Sequence, residues 1–273
     1  MSFLLLLLWA GPGAGQTYVD LKFTGNIQAT NGLYPNNSTL GPEYYSGWVF
    51  DFREVATWNG HGVDARLTVT STSGSYGFVG WLPNYNKAAG QPEGDLGFYH
   101  RFTGNYGQAT GGTDFTLQFF EGGETFATPV TLPAIRLLLY DVDGEATQSE
   151  QIRLFLGDGL SGYRLGPVSD IVATPEGGSM VFRGPGHNHH EDNADGGLIA
   201  YYLNASTVHF QMRTTTTESP EPTWGLFTAI DGDASLVAGR ESTYGSLVSV
   251  PEPAAPWLLG VGILFRRRRE GQR

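Results

Sequence analysis

Short stretches in which apolar and polar residues alternate recur along this chain, each bounded by clusters of Gly, Asn, Asp or Pro. Period-two alternation of this kind predicts half-buried strands. They are expected over residues 17–23, 47–52, 63–70, 77–82, 98–102 and 113–120, then over 151–156, 178–182, 198–203, 208–213 and 225–230. Residues 134–142 are apolar at almost every position, which predicts a central strand buried on both faces. Asn59-Gly60 marks a tight hairpin turn. No stretch sustains a 3.6-residue period and no repeat of fixed length recurs, so helical bundles, propellers and solenoids are disfavoured. The pattern predicts an all-β chain: an antiparallel two-sheet sandwich, with the jelly roll as one of its forms.

Composition agrees. Glycine (39 residues), phenylalanine (16) and tyrosine (13) are abundant, whereas lysine occurs only at 22 and 87. Cysteine is absent, which removes thiolate catalysis, cysteine zinc sites and disulfides together. Between residues 16 and 249 there are 25 acidic and 11 basic side chains. A body of that sign is repelled by nucleic-acid phosphate and suits basic partners or divalent cations.

The two ends differ from this body. Residues 3–10 are a leucine-rich apolar run followed by Gly11-Pro-Gly-Ala-Gly15, the pattern of a secretory signal peptide over residues 1–15. The basic flank of such a peptide is missing, so the true start is expected upstream. The opposite end has three blocks: Pro251-Glu252-Pro253, an apolar stretch over 254–265, and Arg266, Arg267, Arg268 and Arg269. Prolines deny the backbone its amide donors, the apolar stretch can enter a bilayer, and the arginines resist translocation. The stretch is 12 residues long with Pro256 inside it, short of the roughly 20 that span a bilayer, a deficit that snorkelling arginines reduce.

This tail over 250–269 resembles the PEP-CTERM sorting signal of exported bacterial proteins. The resemblance implies an exosortase-type sorting enzyme as a partner, at least transient anchoring in the inner membrane by a short C-terminal helix, and a final place in the envelope or extracellular matrix. It also implies three parts: signal 1–15, β-sandwich body 16–249, and sorting tail 250–273. Within the body, Val63-Asp-Ala-Arg-Leu67 and the later Asp141-Val-Asp-Gly144 resemble strand motifs of β-sandwich domains in bacterial surface proteins and adhesins. That resemblance implies a surface module rather than an enzyme, and the expected ligand is matrix polysaccharide or another surface protein.

Candidate chemistry is acidic. Asp141 and Asp143 are two apart, so on a strand both would face one side, and Glu150 opens the next predicted strand. Such an all-oxygen set suits calcium, and Gly144 would allow the sharp turn between. A plain Asp-Gly turn with the aspartates capping amides is the alternative. Asp231-Gly-Asp233 repeats the idea on a smaller scale, joining the same site or forming an ordinary turn. His187, His189 and His190, with Glu191 and Asp192, form the densest run of ligand-bearing residues. Imidazoles there suit zinc, copper or nickel and the carboxylates suit calcium, with a solvated loop as the competing reading. Trp48, Trp58, Trp81, Tyr85, Tyr99, Tyr106 and Trp224 are candidate sugar platforms, about half of which alternation should bury. No nucleophile elbow or nucleotide loop occurs, so a non-enzymatic module is expected. The alternative is a secreted carbohydrate-active enzyme drawing on Asp114, Glu121 and Glu124.

Overall fold

The computed structural model describes residues 16–23, 27–29, 46–73, 76–79, 96–102, 109–123, 125–145, 148–189, 193–216, 226–233 and 240–250. In chain order the strands are β1 (Ile27–Ala29), β2 (Val49–Trp58), β3 (His61–Ser73), β4 (Tyr76–Val79), β5 (Leu96–Phe102), β6 (Ala109–Glu121), β7 (Leu132–Tyr140) and β8 (Gly144–Glu145). They continue with β9 (Gln148–Phe155), β10 (Leu160–Leu165), β11 (Val172–Glu176), β12 (Ser179–Arg183), β13 (Leu198–Ala205), β14 (Thr207–Thr216), β15 (Leu226–Asp231) and β16 (Val248–Ser249). Among the described residues no helix is long and apolar enough to cross a membrane. Both ends of the chain, with Pro251, Glu252, Pro253 and Arg266 to Arg269, lie outside the described residues.

Two antiparallel sheets result. One has nine strands in the order β1-β2-β3-β6-β14-β9-β12-β11, with β8 added on β9; the other has seven, in the order β16-β10-β13-β7-β15-β5-β4. Alternation dictates how they face. On β14, Val208, Phe210, Met212 and Thr214 are buried while His209, Gln211 and Arg213 look outward. Inward rings such as Phe98, Phe115 and Phe210 stack between the sheets, with Phe115 and Phe210 centroids 5.0 Å apart. The Asn59-Gly60 turn is as expected: both residues have positive φ, 50° and 79°, the geometry of a two-residue hairpin.

Strand β7 is buried on both faces, as its apolar run predicts. Ile135, Leu137 and Leu139 join the main core, whereas Leu138 and Tyr140 belong to a second cluster with Ile199, Tyr201, Ala229 and Tyr244. Tyr18 and Leu247, from opposite ends of the described chain, cover that outer cluster. Glu241 fixes the cover polar-side down, accepting from Arg136 at 2.9 Å and from the Tyr201 hydroxyl at 2.8 Å.

Residues 17–23 are extended rather than a full strand, with a single bridge between Leu21 and Gly232. The segment ties the sheets instead. Val19 N–H donates to Ala134 of the seven-stranded sheet, and Lys22 N–H donates to Val55 of the nine-stranded one.

The Val63-Asp-Ala motif has a structural task. Asp64 is 1% exposed, and its carboxylate accepts from the Glu54 N–H (2.8 Å), the Gly123 N–H (3.1 Å) and Arg53 (2.8 Å). Glu54 is the residue at φ 53° where β2 slips register against β3, so Asp64 holds a bulge in place.

Candidate functional site

At the end of β7 the chain leaves the sheet at Asp141, whose φ is 61°. The alternation expected to aim Asp141 and Asp143 to one side therefore does not apply, because the strand stops at Tyr140. Gly144 has no positive φ; it is required by crowding. A Cβ there would lie 2.3 Å from the Gln148 oxygen and 2.6 Å from the Pro185 oxygen.

Asp143 and Glu150 are brought together. Glu150 N–H donates to the Asp143 carbonyl (2.9 Å), and Asp143 N–H donates to Glu150 Oε2 (3.3 Å). The Thr228 hydroxyl also donates to Glu150 Oε2 at 3.0 Å, while Glu150 Oε1 is buried without a partner. Glu150 points into the core on the same face of β9 as Ile152 and Leu154. Burial pushes its carboxyl well above the ordinary range, and the Asp143 and Asp141 charges add to the rise. Burial also holds Asp143 up at about 6, opposed by the hydrogen bond from the His189 N–H.

That last bond joins the two sequence candidates. Asp143 Oδ2 accepts from the His189 backbone at 2.6 Å, so the Asp-Val-Asp-Gly corner seats the histidine loop. Across the loop, the His187 and His189 rings lie 4.8 Å apart. His187 Nε2 is 3.2 Å from Asp170 Oδ2, both side chains being 56% exposed. Among the described residues, Asp170, His187 and His189 offer one ligand atom each with all three atoms within 4.8 Å of one another. His190 lies outside the described residues. Asp170 carries no signal in sequence: it is a single acid in the turn between β10 and β11, and only the fold brings it to the histidines.

The two loops are stitched together. The Ser169 hydroxyl donates to the Asp195 carbonyl (2.6 Å), and Val168 N–H donates to Asp195 Oδ1 (3.2 Å). Asn193 caps the 3-10 turn Ala194–Gly196 by accepting from Asp195 N–H (3.0 Å), which turns its amide nitrogen toward His189 Nδ1 at 3.2 Å.

A second feature lies on the outward face of the nine-stranded sheet. An open groove of about 430 Å³ runs between Asp114, Phe155, Asp158, His209 and Gln211, with Thr70 at its rim. Asp158 sits on the 3-10 turn Leu156–Asp158 and accepts from both the His209 N–H (2.7 Å) and His209 Nδ1 (2.8 Å). Asp114 Oδ2 accepts from the Ser71 hydroxyl at 2.6 Å. Phe155 meets the His209 ring edge-on at 6.3 Å.

The remaining candidates scatter. Trp48 is in the core and Trp58 packs against it, so neither is a free sugar platform. Trp81, Tyr85, Tyr106 and Trp224, together with Glu124, lie outside the described residues, and of Tyr99 only the strand position is described. Glu121 is exposed at the end of β6, about half that strand's length from Asp114. Asp231 is the last residue of β15 and Gly232 bridges Leu21, with Asp233 N–H donating to Asp231 Oδ1 at 2.7 Å.

No protein-family model and no curated protein matches the sequence. Among solved structures, the chain is similar to the N-terminal domain of the Streptococcus gordonii adhesin Sgo0707, at 11% identity and TM-score 0.49, over 79% of this chain and 63% of that one. It is also similar to the adhesin domain of PrgB from Enterococcus faecalis, at 11% identity and TM-score 0.41, over 78% of this chain and 75% of that one. At these scores neither likeness bears on activity. The sandwich stands on its own strand pairing.

Proposed function

We propose that this chain is an exported bacterial surface protein, sorted by its PEP-CTERM tail, whose sandwich is a binding module for a saccharide. The groove on the nine-stranded sheet carries this reading. Its volume of about 430 Å³ falls in the range of small-molecule sites. It offers what a sugar ring needs: a phenylalanine and an imidazole for the apolar face, and Gln211, Asp114 and Thr70 for hydroxyls. Its carboxylates select neutral or amino sugars over anionic ones. Both are already engaged, Asp158 by His209 and Asp114 by Ser71. That supports retention of the glycan rather than turnover.

Glycan arrays followed by calorimetry on the purified chain test the reading. Binding of a neutral or amino-sugar glycan is expected, weakened about tenfold by Phe155→Ala or Gln211→Ala, with no cleavage products. Absence of any glycan binding, or full binding in both variants, sinks it. For the tail, a Pro251→Ala, Glu252→Ala chain expressed in an exosortase-bearing host is expected to stay unprocessed in the inner membrane; normal processing would refute the sorting half of the proposal.

A further inference from the structure

We infer that Asp170, His187 and His189 form a binding site for a late first-row divalent metal, with zinc as the natural probe. Two imidazoles and one carboxylate are a nitrogen-rich set that such metals prefer, whereas calcium and magnesium want oxygen throughout. The ligands come from separate elements, Asp170 from the β10–β11 turn and the histidines from the β12–β13 loop, so a bound ion would link the two. Their ligand atoms already lie within 4.8 Å of one another. Atoms about 2.0–2.1 Å from a tetrahedral zinc are separated by roughly 3.3 Å, so closing the site takes a small movement of exposed side chains.

Two further observations single this cluster out. His189 Nε2 is buried and makes no hydrogen bond among the described residues, an orphaned nitrogen on one of the three ligand residues. A buried polar atom left in that state is costly unless something occupies it. The backbone around the ligands is also held before any ion arrives. Asp143 fixes the His189 N–H (2.6 Å), and Asp195 fixes Ser169 (2.6 Å) and Val168 (3.2 Å), the residues just ahead of Asp170. Gly166 lies so near Ala194 that a Cβ would fall 2.3 Å from its carbonyl oxygen, which keeps the two loops in contact. Asn193 stands against the other ring nitrogen of His189 at 3.2 Å, the position from which an outer-shell amide sets imidazole orientation once a metal is bound.

The site leaves room for one or more water ligands, since Asp170 and His187 are each 56% exposed. Three protein ligands with an open position are compatible with a metal that also meets a ligand from outside. The site is built from loops at one end of the sandwich and is independent of the groove residues, so either can exist without the other.

The test is zinc titration by calorimetry into the untagged, chelator-treated chain, with the unfolding midpoint followed in parallel. One zinc per chain is expected, with a midpoint raised by a few degrees and no displacement by a large excess of calcium. Asp170→Asn is expected to weaken zinc at least tenfold, and His187→Ala with His189→Ala to abolish it. Both variants should keep the metal-free midpoint, because the Asp143 bond uses the His189 backbone. No zinc binding to the parent chain overturns the inference. So does binding that survives Asp170→Asn unchanged or is lost in His190→Ala alone, either of which would move the metal elsewhere in the histidine run.

Discussion

Thr228 on β15 donates its hydroxyl to Glu150 Oε2 on β9 at 3.0 Å, so the two sheets are joined through the core by a side-chain hydrogen bond as well as by packing. Thr228 and Glu150 are 2% and 3% exposed. Replacing Thr228 by valine keeps the shape and removes the donor. Thr228→Val is expected to lower stability by about 1–2 kcal/mol in urea unfolding, and Thr228→Ser to recover most of it.

Asp64, itself buried, accepts three hydrogen bonds, from the Glu54 and Gly123 N–H groups and from Arg53, and fixes the β2 bulge at Glu54. Asp64→Ala is expected to cost about 2–4 kcal/mol, seen as a lower denaturation midpoint. The loss should be accompanied by faster amide exchange at Glu54 and Gly123, the two backbone donors it would strand.

Burial raises the Asp231 carboxyl from an ordinary 3.8 to about 6, against the Asp233 N–H that lowers it. The folded chain thus binds this proton more tightly than the unfolded chain. Stability contributed by the proton is present below about pH 4 and is lost as pH rises through about 6. Asp231→Asn keeps an oxygen for the Asp233 N–H without the charge. It is expected to raise stability at pH 7 by about 1–3 kcal/mol and to flatten the fall between about pH 4 and 6, measured by denaturation across that range.

Gly144 is hemmed in by the Gln148 and Pro185 oxygens. Gly144→Ala is expected to destabilise by about 2–4 kcal/mol. Because Pro185 opens the loop that carries His187 and His189, the same substitution should weaken zinc binding. Calorimetry on the variant below its unfolding temperature separates that effect from the loss of fold.

Most strands were legible because one face of each is buried, and alternation records burial directly. Strands β1, β8, β10, β11 and β16 were not. Leu160-Ser-Gly-Tyr-Arg-Leu165 is diluted by Ser and Gly, whereas β11 is an edge strand containing Pro175, with Val172 exposed at 59%. At two residues, β16 is too short to show a period.

The chemistry was legible where ligands crowd together in sequence, as at His187 and His189. It was illegible where a lone residue matters through tertiary proximity. Asp170 is one such case and Asp64 another, its role as a bulge clamp hidden inside a strand motif. Glu150 shows the converse. It was picked out as an acid beside acids, yet its position on the inward face of β9 makes it part of the core.

The described chain ends in contact with the sheet. Val248 and Ser249 pair with Tyr163 and Gly162, and Val250 N–H donates to the Ser161 carbonyl at 3.2 Å with its own side chain buried. The last described residues therefore lie on the edge of the seven-stranded layer. Under the proposed sorting, attachment would follow on from this seven-stranded layer, the side of the sandwich opposite the groove.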